Sequence, residues 1–258
     1  MNIAFYKYQG TGNDFVIIDN RSLHFPKNDT KLISRLCDRK FGIGADGLIL
    51  LEECETTDFR MVYFNSDGRE SSMCGNGGRC IVAFASFLGL TQDETVFSAT
   101  DGIHHATISD TIVRLKMQDV LNVEKFSDHV FLDTGSPHHV QRSECIEDID
   151  VKTVGRALRY DTYGTTGSNI NFVEKQSGAV FAVRTYERGV EDETLSCGTG
   201  VVAVALAMYD IGETDATLIT LQTPGGDLKV SFEKNEMAYK NIYLEGPAIQ
   251  VFKGSIVC

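Results

Sequence analysis

Two blocks of the chain repeat one order of polar and apolar positions. The first runs from an alternating stretch, 59–64, through the polar turn Asn65-Ser66-Asp67-Gly68-Arg69-Glu70 to Cys74-Gly75-Asn76-Gly77-Gly78. It continues as an apolar run from Arg79 to Leu88 and stops at Gly89. The second runs from 179–186 through Glu187-Arg188-Gly189-Val190-Glu191-Asp192-Glu193 to Cys197-Gly198-Thr199-Gly200, continues from Val201 to Met208 and stops near Gly212. Alternation predicts strands, and a glycine-bounded apolar run predicts a helix opening just after each cysteine. Elsewhere the pattern predicts strands over 2–8 and 14–19 around a turn Gly10-Thr11-Gly12-Asn13-Asp14. It also predicts a helix capped by Asp29 or Thr30, a strand over 48–51 after a glycine-rich connection, and a meander over 95–100, 103–109 and 111–117. The second half repeats this: a strand over 130–134, a turn Gly135-Ser136-Pro137-His138-His139, a helix over 151–159, then strands from Asn169, and later over 216–222, 227–233 and 241–245. The chain therefore reads as one unit used twice, giving two α+β lobes with pseudo-twofold symmetry and a cleft between them. The lobes are expected over 1–117, joined by 248–258, and over 118–247.

Composition narrows the function. The 258 residues are 42% hydrophobic and 23% charged, as in an ordinary globular protein. A net charge of -12, with no basic run, argues against a nucleic-acid surface. No run approaches the ~20 apolar residues of a membrane span, and the start Met1-Asn2-Ile3-Ala4-Phe5 does not read as a signal peptide. A cytoplasmic protein is expected. Seven cysteines without CxxC spacing fit free thiols and no metal site. Cys37, Cys54, Cys145 and Cys258 read as buried and inert, and Cys80 as core. The pair His104-His105 and the acidic stretch Glu191-Asp192-Glu193, read as a solvated face, carry no assigned role.

Cys74 and Cys197 are different. The first N–H groups of a helix lack intrahelical partners, and the helix dipole is positive there, so a thiolate is stabilised and an anion can be held. Glycines let a carboxylate approach those N–H groups closely. Two such thiols acting from opposite faces of a bound molecule can invert a stereocentre, one removing a proton and the other returning one. No phosphate loop or dinucleotide fingerprint is present, so no cofactor is expected.

The stretches Gly10-Thr11-Gly12-Asn13-Asp14-Phe15, Phe64-Asn65-Ser66-Asp67-Gly68, Cys74-Gly75-Asn76-Gly77-Gly78-Arg79-Cys80, Tyr186-Glu187-Arg188-Gly189, Cys197-Gly198-Thr199-Gly200 and Pro224-Gly225-Gly226-Asp227 resemble the diaminopimelate epimerase family, in order over essentially the whole chain. The resemblance implies lobes each made of an antiparallel-rich sheet wrapped around a central helix, with the site in the cleft. It implies cofactor-independent epimerisation of LL- to meso-diaminopimelate, in lysine and peptidoglycan precursor synthesis, by a homodimer. Carried over by position, Cys74 and Cys197 are the acid–base pair, with His138 and Glu187 tuning the thiols and orienting the amino group. Gly75, Asn76, Gly198 and Thr199 cradle the reacting carboxylate, and Asn13, Asn65, Asn169, Glu187 and Arg188 contact substrate. Ser136 stands where many members have asparagine, and Gly47 where some have glutamine. A proline or hydroxyproline racemase, a thiol redox protein pairing Cys74 with Cys197, and a silent binding protein on the same fold are the alternatives.

Overall fold

A computed structural model describes residues 2–236 and 238–258. In chain order the elements are β1 (Asn2–Gly10), β2 (Asn13–Asp19), α1 (Thr30–Cys37), β3 (Gly47–Glu52), β4 (Phe59–Asn65), β5 (Glu70–Ser71), α2 (Gly75–Phe87), β6 (Glu94–Ala99), β7 (Gly102–Ser109) and β8 (Ile112–Lys116). There follow β9 (Val123–Lys125), β10 (Val130–Asp133), β11 (Pro137–Arg142), α3 (Val151–Asp161), β12 (Asn169–Ser177), β13 (Val180–Glu187), β14 (Asp192–Thr194), α4 (Gly198–Asp210), β15 (Leu218–Thr223), β16 (Gly226–Asn235), β17 (Ala238–Pro247) and β18 (Ile249–Val257). The chain divides into two compact units, Met1–Leu115 with Gly246–Cys258, and Lys116–Glu245.

The first unit is an α+β assembly. β1 and β2 form a hairpin whose turn is only Thr11-Gly12, at φ of 51° and 84°. Positive φ at both central residues matches the twist of the flanking strands, so the expected longer turn contracts, with Gly10 ending β1 and Asn13 opening β2. β2 pairs parallel with β3 across α1, β3 antiparallel with β4, β4 parallel with β6 across α2, and β6, β7 and β8 form an antiparallel meander. β5 adds to β4 and β18 to β1. Asp29 caps α1, its side chain accepting from Leu32 N at 3.0 Å.

β3 is buried at every position, because both faces are covered. Leu48 and Leu50 join the cluster of Ile33, Leu36 and Cys37 from α1. On the opposite side of the strand, Ile49 meets α2, where a Cβ on Gly77 would lie 3.3 Å from its Cδ1. A strand covered on both faces reads as a continuous apolar run rather than an alternation. α2 touches β1, β2, β3, β7 and β18, so the sheet encloses it.

The second unit repeats the wiring step for step. β10–β11 is antiparallel, β11–β12 parallel across α3, β12–β13 antiparallel and β13–β15 parallel across α4, and β15, β16 and β17 form the meander. β14 adds to β13 as β5 does to β4, and β9 adds to β10 as β18 does to β1. α4 touches β10, β11, β12, β13, β15 and β16. From Val201 to Met208 no residue is more than 1% exposed. A helix apolar all round belongs inside, and each fully buried Val or Leu contributes about 1.5–3 kcal/mol.

Several expectations need correction. The turn expected over 135–139 ends at Ser136: Pro137 opens strand β11, where a missing N–H is tolerated. The short strands β5, β9 and β14 carry too few residues to alternate. The acidic stretch 191–193 is structural. Glu191 accepts from Arg159 at 3.1 Å and Tyr186 at 3.0 Å, and Glu193 holds Arg184 bidentately at 2.7 and 2.8 Å. Cys37 and Cys80 are buried, Cys54 is half-buried, and Cys145 and Cys258 are exposed rather than buried. Among the described residues no helix is long and apolar enough to cross a membrane.

Candidate active site

Each unit presents its cysteine as the N-cap of the enclosed helix. Cys74 precedes α2 and Cys197 precedes α4, both in extended backbone. Neither side chain caps its own helix, so the sulfur is not spent on the helix's N–H groups. Gly75-Asn76 and Gly198-Thr199 form the first turn behind each sulfur.

In the first unit Cys74 Sγ points at Asn13 Oδ1, 3.7 Å away, and Asn76 Nδ2 donates to the same oxygen at 3.3 Å. Asn13 Nδ2 donates to Asp46 Oδ2 at 2.7 Å. Asp46 and Asp14 share Arg39, which donates to Asp14 at 3.0 and 2.7 Å and to Asp46 at 2.7 Å, and Lys7 bridges Asp14 and the Gly44 carbonyl. Burial raises the Asp14 carboxyl, but the hydrogen bonds and charges of Arg39 and Lys7 outweigh it and hold it well below the usual range. Arg79, on the next turn of α2, is wholly buried and donates to Thr11 Oγ1 at 3.1 Å and the Gly75 carbonyl at 3.5 Å. Burial pushes Arg79 down to about 10 and the Cys80 thiol up to about 12. Asn65 ends β4, exposed, in the turn where Gly68 N donates to its carbonyl at 2.9 Å. Its pairing partner is Gly47, where a Cβ would lie 2.6 Å from both Tyr63 Cε2 and Phe64 O. With Tyr63 across it, that position has no room for a glutamine.

In the second unit the same register carries different chemistry. His138 pairs with Asn169, and Asn171 with Thr185, where the first unit has Phe15 with Gly47 and Ile49 with Tyr63. An apolar layer beneath α2 thus becomes a polar layer beneath α4. His138 is fully buried. Its Nε2 lies 3.0 Å from Thr199 Oγ1 and its Nδ1 3.2 Å from Asn171 Nδ2. Asn171 Nδ2 also donates to the His139 carbonyl at 2.9 Å, and its Oδ1 accepts from Thr185 Oγ1 at 3.0 Å. Thr199 Oγ1 is 3.5 Å from Cys197 Sγ. Asn169 Nδ2 donates to Ser136 Oγ at 2.9 Å and the Pro137 carbonyl at 3.2 Å, and its Oδ1 accepts from Arg188 N at 2.9 Å. The Arg188 guanidinium reaches the Thr166 carbonyl at 3.0 Å and Ser136 Oγ at 3.3 Å. Glu187, half-buried, accepts from Thr194 at 3.0 Å.

The structure thus joins Cys74, Asn13 and Asn76 in one unit, and Cys197, Thr199, His138, Asn169 and Arg188 in the other. Asn65 and Glu187 occupy corresponding strand ends, of β4 and β13. Asp46, Asn171 and Thr185 belong to them but carry no motif. The available signal for Asn171 was an asparagine inside the apolar strand Ile170–Val173, a setting where asparagine is depleted.

Burial, with the Arg188 charge second, pushes His138 down to about 3, and burial pushes His139 down to about 4. Both are neutral in the folded protein near pH 7 but take up a proton on unfolding below an ordinary value of about 6.5. The unfolded state therefore binds more protons between about pH 6.5 and 4. Stability present above that window is lost as the pH falls through it, by about 1.4 kcal/mol per pH unit for each histidine. Loss of the Asp14 ion pairs adds only below about pH 4. Urea titrations at pH 7, 6, 5 and 4 check this, and a flat midpoint from pH 7 to 4.5 would contradict it.

Among the described residues no group of three or more histidine, cysteine or carboxylate side chains could hold a metal ion.

The diaminopimelate epimerase family model matches residues 5–119 and 130–251. A diaminopimelate epimerase of Flavobacterium psychrophilum is 57% identical over 253 residues, covering 97% of this chain and 99% of that protein. Its counterpart from Chlorobaculum tepidum is 43% identical over 258 residues, covering 96% and 98%. Among solved structures, a PhzF-family phenazine biosynthesis protein of Bacillus anthracis covers the whole of both chains with a TM-score of 0.80 at 15% identity. A hydroxyproline epimerase from Agrobacterium vitis, with bound trans-4-OH-L-proline, covers 99% of this chain and 91% of that one with a TM-score of 0.75 at 11% identity. At such identities these two structures speak for the fold alone. The match of the family model over both units, with a relative that shares 57% of residues along almost the entire length, establishes that this chain belongs to the diaminopimelate epimerase family.

Proposed function

We propose that the protein interconverts LL- and meso-2,6-diaminopimelate without a cofactor, with Cys74 and Cys197 as its acid–base pair. The observation that carries this reading is the duplication. Two units of identical wiring each place a cysteine at the glycine-opened start of an enclosed helix. One thiolate takes the α-proton. The electron pair left on the α-carbon is delocalised into the carboxylate, which the N–H groups of the two helix starts stabilise as its charge grows. The other thiol delivers its proton to the opposite face, and the configuration inverts. The thiolate and thiol have then exchanged roles, so the reverse reaction starts from the product state.

The other side chains follow from this. Asn13, Asn65, Asn169, Glu187 and Arg188 hold the substrate's amino and carboxylate groups, Arg188 being suited to a carboxylate by its planar fork. Gly75, Asn76, Gly198 and Thr199 receive the reacting carboxylate. His138 and Glu187 tune the thiols and orient the substrate's reacting amino group. A cytosolic homodimer belongs to the same reading, and β18 offers such a dimer an exposed apolar strand in Ile249, Val251 and Phe252.

The test is solvent exchange. Reduced protein incubated with LL-diaminopimelate in deuterated water is expected to form the meso isomer with deuterium at the inverted α-carbon. Inversion without deuterium uptake, or no inversion at all, would refute it.

A further inference from the structure

Resting on that reading, the geometry assigns the starting proton. We propose that in the free enzyme Cys74 is the thiol and Cys197 the thiolate, and that Asp46 and Asn171, which touch neither sulfur, are the positioning residues that fix this.

Around Cys74 the logic runs from Asp46. A carboxylate only accepts hydrogen bonds, so the 2.7 Å contact turns the Asn13 amide nitrogen toward Asp46 and its oxygen toward Cys74. Asn76 Nδ2 donates to that same oxygen, confirming the orientation. The sulfur therefore faces an acceptor, which a thiol satisfies and a thiolate does not. The Arg79 charge acts on Cys74 and favours its thiolate, but its terminal nitrogens hydrogen-bond Thr11 and Gly75. Against it stands the Asn13 oxygen, held toward the sulfur by Asp46, with Asp14 and Asp46 balanced by Arg39 and Lys7.

Around Cys197 the logic runs from the His139 carbonyl, which fixes the Asn171 amide nitrogen, while Thr185 fixes its oxygen. The nitrogen that remains directed at His138 Nδ1 is a donor, so Nδ1 is the imidazole's acceptor and its proton sits on Nε2. Asn169 Nδ2 also lies 3.5 Å from His138 Nε2, but its two amide hydrogens go to the nearer Ser136 Oγ at 2.9 Å and Pro137 carbonyl at 3.2 Å, so none is left to hold Nε2 as an acceptor. Nε2–H thus donates to Thr199 Oγ1 at 3.0 Å, leaving the threonine hydroxyl hydrogen for the sulfur 3.5 Å away. A donor aimed at sulfur favours the thiolate; the helix N-terminus favours it at both cysteines alike, so the difference between them lies in the side chains each sulfur faces. Of the other titratable groups here, Arg188 and the burial of His138 both keep the imidazole neutral, His139 turns to Tyr163 and Gln141, and Glu187 ends β13 with its Oε2 accepting from Thr194.

The test reads each thiol without turnover, so its failure is distinct from failure of the exchange assay. The probe is iodoacetamide alkylation of the substrate-free protein across pH, resolved by mass spectrometry at residues 74 and 197. The readout is each cysteine's pH midpoint, which exposure alone does not shift. The Cys197 midpoint is expected to lie at least about one pH unit below that of Cys74, a tenfold difference in thiolate ratio. In Asn171→Asp, a near-isosteric change, the carboxylate accepts from Nδ1–H. The imidazole proton moves to Nδ1, Nε2 takes the Thr199 hydroxyl hydrogen, and the Cys197 midpoint rises by about one unit while Cys74 is unmoved. Thr199→Val, on the half-buried side of the network, gives the same rise should Asn171→Asp fold poorly. Asp46→Asn frees the Asn13 amide to turn and lowers the Cys74 midpoint alone. A Cys74 midpoint below that of Cys197, or a Cys197 midpoint unmoved by both Asn171→Asp and Thr199→Val, overturns the proposal.

Discussion

Serine in place of either Cys74 or Cys197 is expected to lower kcat for epimerisation by about 10²–10⁴-fold, the span of a positioned general acid or base, with KM little changed. The substitution removes acidity, not shape. A thiol ionises near pH 8.5 and lower still at a helix start, whereas a serine hydroxyl stays protonated and weakly acidic in the same place. It can neither take the α-proton as an anion nor return one efficiently. Substrate affinity survives, because the groups that hold the two carboxylates and amines are elsewhere. Each variant keeps one competent sulfur, so each should exchange the α-proton with solvent from one face only, washing deuterium into a single stereoisomer without inverting it. Chiral chromatography with mass detection reads both results. A variant that keeps more than about a tenth of wild-type inversion, against the 10²-fold minimum expected of a lost acid or base, would remove that cysteine from the pair.

Why the sequence disclosed so much of this, and not the rest, has a physical basis. The duplication was legible because each copy is punctuated in the same way, with turn residues, a cysteine, glycines and an apolar run, and such punctuation is local. The pairing of strands confirms it: parallel joins across helices fall at the same steps in both units. What stayed hidden was decided by distant neighbours. Glu191 and Arg159 are 32 positions apart, and Glu193 grips Arg184 across a strand pair. An acidic stretch therefore looked solvated when it clamps α3 and β13. His138 looked like part of a turn because Gly135, Ser136 and Pro137 precede it, although Pro137 only opens the strand. Asp46 and Asn171 act by orienting a second amide or a ring, a role with no spacing rule, and only register shows that Asn171 stands where the first unit has Ile49.

That difference in register makes Gly200 the position where a single methyl group should do the most damage at the second helix start. A Cβ there would lie 2.6 Å from Asn171 Oδ1, 3.2 Å from Cys197 Cβ and 3.3 Å from its sulfur. The first distance is shorter than any real contact, and Asn171 has no freedom to withdraw, since its oxygen holds Thr185 and its nitrogen the His139 carbonyl and His138. The corresponding glycine of α2, Gly77, would place its Cβ no nearer than 3.3 Å to a flexible isoleucine end. Gly200→Ala is therefore expected to push the start of α4 off the polar layer. The cost is about 1–3 kcal/mol of stability, as for other overpacked sites, and about 10²-fold in kcat if the sulfur shifts by an ångström. Gly77→Ala, which meets only side-chain ends that can give way, is expected to lose far less of either. Urea midpoints and steady-state kinetics on the two variants make the comparison. Equal losses from both would show that the polar layer beneath α4 is no more rigid than the apolar one beneath α2, and that Asn171 does not hold the imidazole in place.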